Sequence, residues 1–208
     1  MSTAEQYDRT YYENGVAARV SGYTNYHWRP EYSLPFANEL KRRFPTDWVL
    51  DFGCAKGFLV KAFRLLGVEA FGYDISRYAV EHADPAVQAY VGNSIPAIDF
   101  RLIVSKDVLE HVPKEEMTAT LRKIFHALHS SGTAVITVPL GDNDQYRIRE
   151  YELDATHRIR ENEEWWIDMF RGAGLLLSEF YYDFPGAKDH WLKVNPIGNA
   201  TFILHKQK

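Results

Sequence analysis

Three groups of residues in this 208-residue chain have types and spacings suited to chemistry. The first is Asp51-x-Gly53-x-Ala55-x-Gly57, a glycine loop between the apolar run Trp48-Val-Leu and a helical pattern. Glycines there let the backbone come close to a ligand where a Cβ would collide, and a helix opening near Lys56 turns free amide groups toward it. This is the grammar of a strand, loop and helix that hold a nucleotide-like cofactor; an ordinary strand-to-helix turn is the competing reading. The second group is Asp74, whose carboxylate offers two acceptor oxygens to a pair of hydroxyls, followed by Asn93 after a third apolar run. The third is Asp107, Glu110 and His111 in Ser105-Lys-Asp-Val-Leu-Glu-His-Val-Pro113, with His157 in Asp154-Ala-Thr-His-Arg158. Carboxylates and imidazoles gathered in one place suit proton transfer or a divalent ion.

The elements that must position these groups follow from periodicity. Strands are expected near 47–52, 68–74, 87–91, 100–105 and 133–138, with helices near 34–45, 57–66, 77–84, from Pro113 onward, and 162–172. Ser76 is placed to cap the helix at 77–84. Strand–helix alternation implies a parallel sheet with right-handed crossovers. Two final strands, near 175–183 and 199–206, have no helix between them and should pair antiparallel. The expectation is a single α/β domain, doubly wound, with a mostly parallel seven-stranded sheet and an antiparallel C-terminal pair. Residues 1–45 form a helical lid and 46–208 the Rossmann-like core. The lid is expected from Tyr7, Tyr11, Tyr12, Tyr23, Tyr26, His27 and Trp28, interrupted at Gly15 and Gly22. Residues 140–161 show no clear period, so a functional loop is expected there.

Composition narrows the class. Hydrophobic content of 46% and charged content of 25% are those of a globular protein. No apolar run reaches the roughly 20 residues that span a bilayer. The start carries neither a basic nor an apolar signal region, and Cys54 is the lone cysteine, so a reducing, cytoplasmic setting is expected. Cys54, in a tight turn, reads as a space-filler rather than a nucleophile. A net charge of −4 argues against a general polyanion binder.

The order strand, acid-Gly-x-x-x-Gly, strand-acid, strand-Gly-Asn, strand-x-x-x-Leu-Glu-His, together with the antiparallel tail, resembles class I S-adenosylmethionine (SAM) methyltransferases. It is most similar to small members of the type 11 and ubiquinone-pathway kind. Ala55 stands where that family carries its middle glycine. The resemblance implies a SAM site, with S-adenosylhomocysteine as product, made by Asp51, Gly53, Cys54, Gly57, Asp74, Ile75, Asn93, Ser94 and Lys106, with Tyr12 and Tyr23 over it. Asp74 would accept from the ribose hydroxyls, Ile75 would lie against adenine, and Asn93 would face the adenine amine. A nicotinamide dehydrogenase would want Gly-x-Gly-x-x-Gly and no antiparallel tail.

The catalytic expectation is His157, His111 and Asp107. Glu110 and His111 could instead only fix the loop. Alternatively, Asp107, Glu110, His111 and His157 resemble the metal site of small-RNA 3′-end and ubiquinone-pathway O-methyltransferases, although Asp107 is one carbon shorter than the glutamate usual there; a divalent metal is not favoured. The third reading makes His157 a general base, the preferred one if no ion binds. The acceptor is expected to be an O or N atom of a small polar metabolite, sugar or natural-product intermediate. Arg147, Arg149, Arg158 and Arg160 suggest a clamp for a phosphate or carboxylate on it, and Lys188, His190 and Trp191 a wall. Metal-assisted RNA 2′-O-methylation and a non-catalytic SAM-binding partner subunit are the alternatives. Neither nucleic acid nor membrane is an expected partner, and nothing in the sequence fixes the oligomeric state.

Overall fold

Residues 3–207 are described in the computed structural model of the chain. A 3₁₀ turn (Thr3–Gln6), α1 (Arg9–Ala18) and α2 (Pro30–Arg43) lead into β1 (Val49–Phe52). Then follow α3 (Phe58–Leu65), β2 (Ala70–Tyr73), α4 (Arg77–Glu81), β3 (Val91–Gly92), β4 (Phe100–Lys106), α5 (Lys114–Ala127) and β5 (Leu128–Pro139). A hairpin of β6 (Gly141–Asp142) and β7 (Gln145–Tyr146), α6 (Glu163–Gly172), β8 (Leu175–Tyr181) and β9 (Asn199–Lys206) complete the chain. The main sheet has seven strands in the order β3-β2-β1-β4-β5-β9-β8. The first five are mutually parallel, and β9 runs antiparallel to both β5 and β8.

β1 explains the layering. Its four residues are all buried. Leu50 and Phe52 point into one apolar cluster, with Met117, Leu121 and Ile124 of α5 and Trp166 and Phe170 of α6. Val49 points into the other, with Phe36 and Leu40 of α2 and Phe63 of α3. Successive strand side chains alternate between faces, so a strand apolar on both needs helices on both sides. β1 lies between β2 and β4, which leave it in opposite directions. The crevice beyond their carboxyl ends is therefore the switch point where open α/β sheets bind ligands.

Three segments differ from the expectations. α2, grouped in sequence with the lid, buries Phe36, Ala37 and Leu40 against the sheet layer and belongs to the core. Its first turns, from Glu31 to Phe36, still reach the cavity wall beside the segment that precedes it. The third strand shortens to two residues because Asp84 closes a turn, accepting from Ala86 N at 3.0 Å, and a 3₁₀ turn (Gln88–Tyr90) follows. The aperiodic stretch 140–161 is folded: Asn143 and Asp144, both at positive φ, make a tight hairpin turn. Leu140, Tyr146, Ile148, Tyr151 and Ile159 are buried. Among the described residues no helix is long and apolar enough to cross a membrane.

Candidate active site

A cavity of about 840 Å³ opens at the carboxyl edge of β1, β2 and β4, between the sheet and the N-terminal segment. Such a volume suits a cofactor together with a small second ligand. Of the residues expected at a cofactor, Asp51, Gly53, Cys54, Asp74, Ile75, Lys106, Tyr12 and Tyr23 line it. Gly57, Asn93 and Ser94 are not on its wall. Gly57 caps α3 at φ 76°, and a Cβ there would stand 3.0 Å from Val87 and Val91. Gly53, at φ 86°, would meet Val108 at 2.3 Å. Both glycines thus serve close packing and a left-handed backbone. Asn93 donates from its side-chain amide to Asp74 O at 2.8 Å, tying β2 to β3. Cys54 fills the space left by Gly72, and burial pushes its thiol pKa well up, so it is no nucleophile.

Asp74 is 7% exposed. One carboxylate oxygen accepts from Ala55 N at 2.7 Å and the other from Ser76 N at 2.8 Å. Burial raises its pKa and these two amides oppose the rise. Each oxygen keeps a second lone pair for a hydroxyl. Ala55 reaches Asp74 only because it adopts φ 48°, unusual for a residue with a Cβ. Asp51, deeper, makes no such bonds to amides, and burial, reinforced by Asp74, lifts its carboxyl to about 7.

The N-terminal segment closes the cavity through a cluster of tyrosines. Tyr7, Tyr11 and Tyr12 are buried against α4, and Tyr12 stacks on Tyr23 and Tyr78 with ring centroids 6.2 and 6.1 Å apart. Polar ties hold it down. Ser76 caps α4 as expected, accepting from Ala79 N, and its hydroxyl donates to Tyr7 O at 2.5 Å. Lys56, which the sequence reading treated only as a helix start, forms an ion pair with Glu13 and donates to Tyr26 O at 3.2 Å. Nothing in the local sequence pairs Lys56 with a residue 43 positions away.

At the far end, Glu110, His111 and His157 come together, with one ligand atom from each within 4.8 Å of the others. The imidazole centroids are 4.5 Å apart. His111 lines the cavity and His157 stands behind it, against Tyr146 and Tyr151. His157 Nδ1 bonds Tyr151 O at 2.7 Å; a carbonyl only accepts, so this nitrogen carries the proton and Nε2 the lone pair. His111 Nδ1 bonds Thr156 Oγ1 at 2.8 Å. Burial, with His157 adding to it, pushes the His111 pKa down to about 4; burial also lowers that of His157. Glu110 is 1% exposed, its Oε2 has no partner, and burial and then Asp107 raise its pKa well above the usual range.

Asp107 does not join this cluster. It lines the cavity at φ 58°, bonded by Lys106 at 2.8 Å and paired with Lys188 at 2.5 Å. Burial raises its pKa, but the two lysines outweigh burial and hold it well below the carboxylate range. Lys188 is itself buried and also donates to Tyr151 OH at 3.0 Å, so it faces Asp107 and not an open wall; His190 does line the cavity, and Trp191 packs on Tyr151. The expected arginine clamp is absent from the wall. Arg147 is bound by Asp142 and Glu163, Arg160 by Glu152, and Arg158 donates to Gln6 at 3.3 Å, so these guanidiniums fold the 140–161 segment. Arg149 is exposed on a 3₁₀ turn (Arg149–Leu153) and also off the wall. Arg29 and Lys123, not singled out from the sequence, line the mouth.

Residues 26–181 match the family described as methyltransferase domain. A carboxy-S-adenosyl-L-methionine synthase of Glaesserella parasuis is 29% identical over 162 residues, 70% of this chain and 64% of that protein. The chain thus spans less than two thirds of that curated relative. Among solved structures, a TehB-like SAM-dependent methyltransferase of Corynebacterium glutamicum superposes with a TM-score of 0.61 at 20% identity, over 83% of this chain and 87% of that one. A Burkholderia thailandensis 1,6-didemethyltoxoflavin-N1-methyltransferase, solved with its acceptor and S-adenosylhomocysteine, gives 0.61 at 16% identity, over 86% and 78%. These likenesses at low identity agree in fold with the sheet order and its antiparallel tail. With the family match across three quarters of its length, the chain belongs to the methyltransferase domain family.

Proposed function

We propose that the chain methylates an O or N atom of a small polar molecule bound at the outer part of the cavity, with His111 as the proton acceptor. The observation that carries this reading is the placement of His111. It is on the cavity wall, its Nδ1 is engaged by Thr156, and its pKa of about 4 keeps it neutral. This differs from the sequence expectation, which preferred His157 as base; His157 supports His111 from behind. SAM supplies a methyl group already activated on a positively charged sulfur, so the protein chiefly positions the acceptor and excludes water. Asp74 would hold the ribose through lone pairs that its two amide bonds leave free, Ile75 would flank the adenine, and the tyrosines would close over both. The arginine clamp has no place in this reading. Asp107, Lys106 and His190 are polar groups of the cavity wall, which suit a hydroxyl or amine-bearing acceptor.

A second reading is favoured by Glu110 Oε2. A buried carboxyl oxygen without a partner is costly, and ligand atoms of Glu110, His111 and His157 lie within 4.8 Å of one another. Glu110, His111 and His157 are the residues that would hold a divalent ion, whose Lewis acidity would lower an acceptor's pKa. Asp107 is outside that set. An acceptor screen with isotope-labelled SAM, read by mass spectrometry with and without chelator, tests both readings. No methylated product from hydroxyl or amine acceptors in either condition would remove them. The same spectra register any carboxylated SAM, the product that the Glaesserella relative is named for.

A further inference from the structure

Segment 154–159 touches both the N-terminal cap and the turn that bears His111. On the turn side, Arg158 N and Ile159 N donate to Glu110 O at 2.8 and 3.0 Å. On the cap side, Tyr11 OH donates to Asp154 Oδ2 at 3.0 Å, and Ala155 N donates to Val20 O at 3.3 Å. Between the two, Asp154 Oδ1 accepts from both Thr156 N at 2.9 Å and Thr156 Oγ1 at 2.6 Å. Tyr7 of the cap also stands edge-on to the His111 ring at 5.8 Å.

The proton inventory of this chain of bonds has one solution. A hydroxyl has a single proton to donate. That of Thr156 is committed to Asp154, an acceptor. Thr156 Oγ1 can then only accept from His111 Nδ1, so Nδ1 carries the hydrogen and Nε2 keeps the lone pair. The carboxylate that commits the threonine proton is itself held in place by Tyr11, a residue of the cap. We infer that Asp154 and Thr156 are positioning residues that make the tautomer of His111 depend on the docked N-terminal segment. The cap would then do more than exclude water: its docking selects the nitrogen that can take a proton. The functional weight of this tie rests on His111 being the proton acceptor; the tie itself does not.

The test is ¹⁵N NMR of histidine-labelled protein saturated with S-adenosylhomocysteine, in which two-bond couplings assign the tautomer of each ring. The wild type is expected to show His111 as Nδ1–H. Thr156→Val and Asp154→Ala should move it to Nε2–H or to a mixture, and Tyr11→Phe, which removes one oxygen, should move it the same way by less. His157, anchored on a backbone carbonyl, should remain Nδ1–H throughout and serves as the internal control. Turnover of Thr156→Val should fall, by up to about 10⁴-fold, at unchanged KM for SAM, the upper figure being the loss for a catalytic histidine held in the wrong tautomer. An Nε2–H ring at position 111 in the wild type, or an Nδ1–H ring in all three variants, would overturn the inference. Because the spectrum needs no acceptor, its outcome is independent of whether His111 is the base. Should Asp154→Ala fail to fold, Thr156→Val and Tyr11→Phe decide.

Discussion

Asp74 and Glu110 are both buried carboxyls at the same edge of the same sheet, one beyond β2 and the other beyond β4. Asp74 has an amide on each oxygen, from Ala55 and Ser76. Glu110 has an oxygen with none, and its neighbours are two imidazoles. The first is fixed by its own loop and the one beside it before any ligand arrives, as an orienting group must be. The second is completed by His157, brought from 47 residues away. The cofactor end is thus a rigid, backbone-built cradle, and the acceptor end a side-chain cluster assembled by tertiary contacts and the cap.

The strongest way to break this contrast is His111→Ala. If the acceptor end does the proton transfer, kcat should fall by about 10²–10⁴-fold while SAM affinity, by calorimetry, stays within about twofold. Full turnover in His111→Ala would reduce the cluster to a structural one. Glu110→Gln should likewise leave SAM affinity unchanged, since Glu110 is not on the cavity wall.

Asp74→Ala should do the reverse. Its loss leaves ribose hydroxyls unpaired, a cost of roughly 1–3 kcal/mol, or about 10–100-fold in the dissociation constant for SAM. Equal SAM binding by Asp74→Ala and wild type would contradict the cradle.

Asp51 sharpens the comparison within the cofactor end, because it lacks the amide bonds of Asp74. Its folded pKa of about 7 lies above the ordinary carboxyl value. Between about pH 4 and pH 7 the folded state therefore holds a proton that the unfolded chain has lost, and stability falls as pH rises through that window. Asp51→Asn should melt higher than the ligand-free wild type above about pH 7 and converge with it near pH 4. The gain should be of order 1–4 kcal/mol, at roughly 2–4 °C of Tm per kcal/mol. A lower Tm for Asp51→Asn at alkaline pH would show that the carboxylate is stabilised by something other than the groups around it here.

The smallest expected effect concerns the cap. Glu13→Gln weakens the pairing with Lys56 and should speed limited proteolysis within 1–30 a fewfold, with S-adenosylhomocysteine restoring protection. Identical cleavage in both proteins, with and without ligand, would make the segment fixed core.

The parts written in the sequence are those with local causes. Strand–helix alternation, with apolar strands near 47–52 and 100–105, implied a parallel sheet. Ser76 gave a cap, and the acid at 74 marked the end of β2 beside the glycine loop. The reason is that hydrogen bonds to nearby backbone and burial of a periodic face are properties of a few consecutive residues. The tertiary structure decided the rest. It placed His111 rather than His157 on the wall, and gave Asp107 to Lys188, 81 positions away. It paired Arg147 and Arg160 with the carboxylates of Asp142, Glu152 and Glu163, and moved α2 from the lid into the core. It also turned the polar stretch 140–161 into a folded lobe whose Thr156 orients His111. Charged and titratable side chains carry no period, and their partners are chosen by which loops meet at the sheet edge. That meeting is fixed only when burial of both faces has closed the fold.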